Sequence, residues 1–269
     1  MMTIRHVALI GLGGIARTVI DTLQSGAAAR ITQVVVRPGR TAEAARTLPS
    51  GVQPIDKLED LAPEVSLVIE TAGHQAVSEY GANVLALGRD FGLISSGALA
   101  DRKLLATLRE TAERHGRRLL VFNGAVAALD AICSARAAGL KSLCYTGIKP
   151  PEAWAGTPAA EQFDLAALRS RTVIFEGSAR QVAAAYPKNA NVAATLALAG
   201  LGMDDTRVRL VADPHSTVNR HLVEGESMLG RFSFDTEARP LASNPKTSAS
   251  TAYSIVSHLL GGPNALRLN

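Results

Sequence analysis

Hydrophobic and polar residues alternate along this chain in two different rhythms. In the first half, short unbroken apolar runs alternate with stretches of helical period. Val7-Ala8-Leu9-Ile10 carries no polar alternation, which suits a strand buried on both faces. Ile15, Val19, Ile20 and Leu23 then recur on one helical stripe. The same sequence of events repeats, with strands expected at 31–36, 66–70, 92–96 and 118–122 and helices at about 75–87 and 101–115. Strands alternating with helices predict an α/β unit built on a doubly wound parallel sheet.

After residue 122 the rhythm changes. Strand-like stretches are expected at 142–148, 172–175, 207–212, 217–223 and 231–234, with helices at about 128–138, 179–185 and 191–201. Arg207-Val208-Arg209-Leu210 alternates polar and apolar, as in a sheet with one solvated face. This half reads as an α+β domain with an open sheet. A last helix, about 248–260, is expected to open at Asn244-Pro245-Lys246-Thr247-Ser248 and to return to the first domain. The expected division is residues 1–122 with 245–269, and residues 123–244.

The first turn carries chemistry. The apolar run 7–10 leads straight into Gly11-Leu12-Gly13-Gly14-Ile15-Ala16, a GxGxxA pattern between strand and helix. Gly11 permits the tight turn, Gly13 removes a side chain where a pyrophosphate approaches the backbone, and Ala16 lets the helix lie close to the strand. The helix N-terminus offers free N–H groups to phosphates. This points to a Rossmann-type dinucleotide-binding domain, with Gly11, Leu12, Gly13, Gly14 and Ile15 against the cofactor; a merely structural glycine turn is the other reading. An acidic residue at the end of the second strand would favour NAD, but Arg37 stands there, followed by Pro38, Gly39 and Arg40. Arg37 suits a 2′-phosphate, so NAD and NADP both remain open; a solvated loop is the alternative reading of the two arginines.

Composition changes little in this picture. The 269 residues are 47% hydrophobic and 19% charged, with a formal net charge of +4. The charges are interspersed, which argues against nucleic-acid binding. The longest apolar stretch, 192–203, falls short of the roughly 18 residues a membrane span needs. No signal-peptide pattern appears, so a cytoplasmic location without membrane association is expected. Cys133 and Cys144 form no CxxC pair and read as small buried apolar residues in a reducing compartment; no metal site is expected.

Among six histidines, His221 stands out. In a strand, Thr217, Asn219 and His221 share one face, which makes His221 a candidate general acid/base, with a structural or surface histidine as the other reading. Pro187-Lys188-Asn189-Ala190-Asn191 precedes an apolar helix, and Asn191 suits its N-cap. Lys149-Pro150-Pro151 adds a cation after a strand.

These residues carry a resemblance. The chain resembles the L-aspartate dehydrogenases over nearly its whole length: GLGGIA at 11–16, NGAVAALDAI at 123–132, KPP with Trp154 soon after, FEGSAR at 175–180, PKNANVAATLALAGLGMDDT at 187–206, ADP at 212–214, NRH at 219–221 and NPKTS at 244–248. Asn123 departs from the family, which has a smaller serine there. The resemblance implies a homodimeric enzyme that oxidises L-aspartate to iminoaspartate with NAD or NADP and feeds NAD biosynthesis. It implies His221 as the catalytic residue and Ala125 and Asn191 as further cofactor contacts. Two substrate carboxylates need cations and N–H donors, for which Lys149, Lys188, Asn189, Lys246 and the expected helix start at Thr247 and Ser248 are candidates. The rival readings are a homoserine dehydrogenase, a dihydrodipicolinate reductase, or a non-catalytic NAD(P)-binding protein.

Overall fold

The computed structural model describes residues 4–23, 29–241 and 244–261, the side chains of 244–246 excepted. Among these residues the chain forms two compact units: the segment ending at Phe122 joined by the last helix from Thr251, and Asn123–Ser250.

The first unit opens with β1 (Arg5–Ile10), α1 (Gly14–Leu23), β2 (Ala29–Val35), α2 (Thr41–Ala45) and β3 (Gln53–Ile55). It continues with β4 (Val65–Glu70), α3 (His74–Ala86), β5 (Asp90–Leu93), α4 (Arg102–Arg114) and β6 (Leu119–Val121). The strands lie in the order β3-β2-β1-β4-β5-β6 and every described pairing is parallel. This is the expected doubly wound sheet, with its strand order reversing beside β1. Val7, Ala8 and Leu9 are fully buried, as the unbroken apolar run requires.

The second unit contains α5 (Leu129–Ala137), β7 (Ser142–Lys149), α6 (Ala159–Gln162), β8 (Thr172–Ser178), α7 (Ala179–Ala185), α8 (Asn191–Ala199) and β9 (Arg207–Ala212). It ends with β10 (Asn219–Ser227), β11 (Gly230–Ala238), β12 (Pro240–Leu241) and β13 (Asn244–Ser248). The main sheet has the order β11-β10-β7-β9-β8. It is mixed: β7 and β9 run parallel, and the other neighbours are antiparallel. The capping box of α7 shows how local sequence sets an element, since the Ser178 hydroxyl accepts from Gln181 N–H and the Gln181 side chain accepts from Ser178 N–H.

Four local expectations are corrected. Residues 244–248 do not open the last helix; they form β13, paired with β12, and α9 begins at Ala249 (Ala249–Leu260). Asn244 precedes Pro245, and that position is biased away from helical geometry. Asn191 is not the N-cap of α8, because Ala190 holds that place and a short turn over Pro187–Asn189 already leads into the helix. Thr217 lies before β10 and is exposed, so the polar row begins at Asn219. Cys133 is exposed and Cys144 only partly buried, because each faces away from the core residues of its element, Ile132 and Ala135 on α5 and Leu143 and Tyr145 on β7. From α9, Ala252, Ile255, Val256 and Leu259 share one buried cluster with Val7, Leu9, Val19 and Ile69.

Candidate active site

In the first unit, the glycine loop is shaped by its neighbours. Gly11 adopts φ +91°, and a Cβ there would lie 2.7 Å from Ala72 Cβ. Thr71 fastens the turn, donating from N and Oγ1 to the Ile10 carbonyl at 3.0 and 2.8 Å. A Cβ on Gly13 would meet nothing within 4 Å, so glycine is not required there for protein packing. Open space over that backbone, next to the N-terminus of a ten-residue helix with no acid in its first turn, fits a pyrophosphate. Ala16 is fully buried. A Gly11→Ala variant is expected to weaken NADH binding sharply in a fluorescence titration and to destabilise the fold by about 1–3 kcal/mol, the cost of forcing a side chain into that backbone conformation.

Past β2, Arg37-Pro38-Gly39-Arg40 makes a tight turn in which Arg40 N–H donates to the Arg37 carbonyl and Gly39 takes φ +77°. Arg40 is held by Glu43 at 2.9 Å, while the Arg37 side chain is exposed at the strand's end.

Sequence reasoning missed Glu70, the last residue of β4, which is fully buried. Its carboxylate accepts from the backbone N–H groups of Ala72, Gly73 and Ser95 and from the Ser95 hydroxyl. Burial pushes its carboxyl above the usual range, and these donors oppose the shift. Glu70 thus ties together the two loops that leave β4 and β5 at the carboxyl edge of the sheet. The available signal was a lone acid ending the apolar run Ser66-Leu67-Val68-Ile69.

In the second unit, strand register assembles a polar cluster. His221 on β10 lies opposite Gly147 on β7. Directly opposed residues share a face, so Tyr145 and Lys149, two positions either side of Gly147, flank the imidazole. The Tyr145 hydroxyl lies 2.8 Å from His221 Nδ1, and the two rings stack at 6.0 Å. His221 is 5% exposed, and its Nε2 is buried with no partner among the described residues. Lys149 Nζ donates to Asn189 Oδ1 at 2.7 Å and sits 5.3 Å from the ring centre of the fully buried Trp154. Among the described residues no carboxylate pairs with it. Burial lowers Lys149 to about 8. Burial, and then the charge of Lys149, lowers His221 to about 4. Among the described residues the site therefore holds a neutral imidazole with a free nitrogen beside a cation that lacks a counter-ion.

A family described as "Aspartate dehydrogenase, C-terminal" matches residues 130–261, and one described as "Homoserine dehydrogenase, NAD binding domain" matches residues 11–122. An L-aspartate dehydrogenase of Cupriavidus necator is 44% identical over 255 residues, covering 93% of this chain and 95% of its own. One from Pseudomonas aeruginosa is 41% identical over 265 residues, covering 98% and 99%. The chain belongs to the L-aspartate dehydrogenase family. The crystal structure of aspartate dehydrogenase from Thermotoga maritima superposes with a TM-score of 0.77 at 26% identity, covering 98% of this chain and 99% of that one.

Within this aspartate dehydrogenase frame, the structure brings some expected residues together and separates others. His221, Lys149 and Asn189 form one cluster. Lys188 does not join it; its side chain is exposed on the turn that aims Asn189 inward. Thr247 is partly buried on β13, and the Lys246 side chain lies outside the described residues. Ala125 sits in a loop with two left-handed residues, Gly124 at φ +61° and Ala128 at φ +57°. Asn191, partly buried, stands in the first turn of α8, two residues after Asn189. No group of three or more metal-binding side chains gathers among the described residues, and no described helix is long and apolar enough to cross a membrane.

Proposed function

We propose that this chain oxidises L-aspartate to iminoaspartate, which water then converts to oxaloacetate and ammonia. The observation that carries this reading is that, among the described residues, Nε2 of His221 has no partner and the adjacent Lys149 cation has no counter-ion. A buried cation without a counter-ion favours an anionic ligand, and a dicarboxylate amino acid supplies one next to a group able to take a proton. In this reading Lys149, with Asn189 orienting it, holds a substrate carboxylate. Lys246 and Thr247 are assigned to the other carboxylate.

The substrate ammonium must lose a proton before an imine can form. The Nε2 of His221, without a partner among the described residues, is assigned to take or relay that proton, directly or through water, and burial keeps the ring neutral above about pH 4 beforehand. Once Nε2 has passed that proton to solvent, its restored lone pair helps activate water against the imine. A nicotinamide held by the residues named next would supply the acceptor for the hydride that leaves Cα. Gly11, Leu12, Gly13, Gly14 and Ile15 are assigned to the dinucleotide phosphates, Arg37 to the adenosine end, and Ala125 and Asn191 to further cofactor contacts. Residues 1–122 with the last helix are assigned to the dinucleotide and residues 123–244 to substrate and subunit contact. The working form is proposed to be a cytoplasmic homodimer that supplies NAD biosynthesis and binds no nucleic acid.

Absorbance of NADH or NADPH tests this reading. L-Aspartate is expected to drive formation of reduced cofactor, and oxaloacetate with ammonia is expected to consume it. Lys149 loses its charge above about pH 8, so the aspartate KM is expected to climb past that point. Silence in both directions with both cofactors removes the proposed activity.

A further inference from the structure

We infer that Tyr145 is a positioning residue for His221, its hydroxyl accepting the Nδ1–H bond while Nε2 takes the substrate proton. The inference rests on the proposed role of His221 and assigns a task to a residue outside that proposal. A neutral imidazole carries hydrogen on one nitrogen only, and the partner of the other nitrogen selects which. For Nε2 to act as base its lone pair must be free, so the ring hydrogen must sit on Nδ1. The group facing Nδ1 is the Tyr145 hydroxyl at 2.8 Å. When the substrate N–H bond breaks and the Nε2–H bond forms, the Nδ1–H bond stays in place against the Tyr145 oxygen. That oxygen faces the imidazolium in a site where burial and the nearby Lys149 charge both disfavour it.

The strand is built to permit this contact. A Cβ on Gly147 would lie 2.7 Å from Tyr145 Oη and 3.1 Å from Cζ. Glycine thus leaves the clearance through which the phenol reaches across to β10. Tyr145 is 2% exposed, so its ring is confined to that path. Burial raises its hydroxyl far above the ordinary range, which keeps it a neutral dipole and not a second anion beside the imidazole.

Tyr145→Phe keeps the ring and removes the hydroxyl. Its kcat is expected to fall by about 10²-fold, the lower range of what a positioned acid–base group supplies. The aspartate KM and NADH affinity are expected to stay near their original values. Nitrogen-15 NMR of the histidine rings supplies the readout that a merely structural role would not move. In the unmodified protein the His221 hydrogen is expected on Nδ1, and in Tyr145→Phe on Nε2. Gly147→Ala, which displaces the hydroxyl without deleting it, is expected to shift the tautomer in the same sense. Hydrogen on Nε2 in the unmodified protein overturns the inference, as does an unchanged kcat in Tyr145→Phe or a kcat loss without a tautomer change. His221→Ala run in parallel separates the two levels. If His221→Ala is inactive and Tyr145→Phe fully active, only the Tyr145 inference fails; if His221→Ala is active, the proposed base fails with it.

Discussion

Replacing His221 by alanine is expected to lower aspartate turnover by about 10²–10⁴-fold, the range a positioned acid–base group supplies. NADH binding should be nearly unchanged, because the glycine loop belongs to the other compact unit. The argument is geometric first. Nε2 is buried and has no partner among the described residues, and leaving a polar atom so carries a cost that a substrate contact would offset. The same variant has a stability signature. His221 takes its proton near pH 4 in the folded chain, against 6.5 ordinarily. Below its folded value both states bind the proton; between the two values only the unfolded chain does. The folded state is therefore fully free of this penalty above pH 6.5, loses stability as pH falls from there, and carries the whole penalty, about 3 kcal/mol, below pH 4. His221→Ala lacks that loss, so its stability should fall less on acidification. Equal turnover in the variant would remove His221 from the mechanism.

Lys149→Met is the second large effect, and it runs in opposite directions for activity and stability. Methionine keeps the apolar stem against Trp154 and deletes the ammonium. Without the cation, kcat/KM for aspartate is expected to drop by about 2–5 kcal/mol in transition-state terms, mainly through KM, as when one partner of a buried charge pair is truncated. Thermal stability is expected to rise by about 1–3 kcal/mol at pH 7, because an uncompensated charge leaves the interior, partly offset by the unpaired Asn189 Oδ1. The sign with pH follows from the folded value of about 8 against 10.5. The stability gain of the variant should be complete below about pH 8 and vanish as pH rises toward 10.5. Thermal melts at several pH values check this, and a destabilised variant at pH 7 would show that Lys149 is compensated in the free protein.

How far the sequence could be read depended on the range of the interaction. The glycine turn was legible because its physics is local: strand, tight turn and helix start are contiguous, and Gly11 does adopt φ +91°. His221 was legible only as a candidate, because strand alternation gives a face but not what that face meets. The partner strand was needed to place Gly147 opposite it and so bring Tyr145 alongside. Tyr145-Thr146-Gly147-Ile148-Lys149 did hold a readable hint, since alternation puts tyrosine, glycine and lysine on one face. Pairing across 76 residues, however, leaves no local mark. Glu70 was passed over for the same reason, because two of its four donors come from Ser95 on a later loop. The misread end of the chain, strand β13 in place of a helix start, shows Pro245 and the pairing with Pro240–Leu241 outweighing a pattern that resembled a cap.

The most direct test of the central claim is to follow deuterium from L-aspartate labelled at Cα. With unlabelled NAD or NADP, the account predicts that the label appears in the reduced cofactor, as direct hydride transfer demands, and that turnover slows relative to unlabelled substrate once the chemical step is isolated in a single turnover. Reduced cofactor formed without deuterium, or no reduced cofactor from aspartate at all, would contradict it.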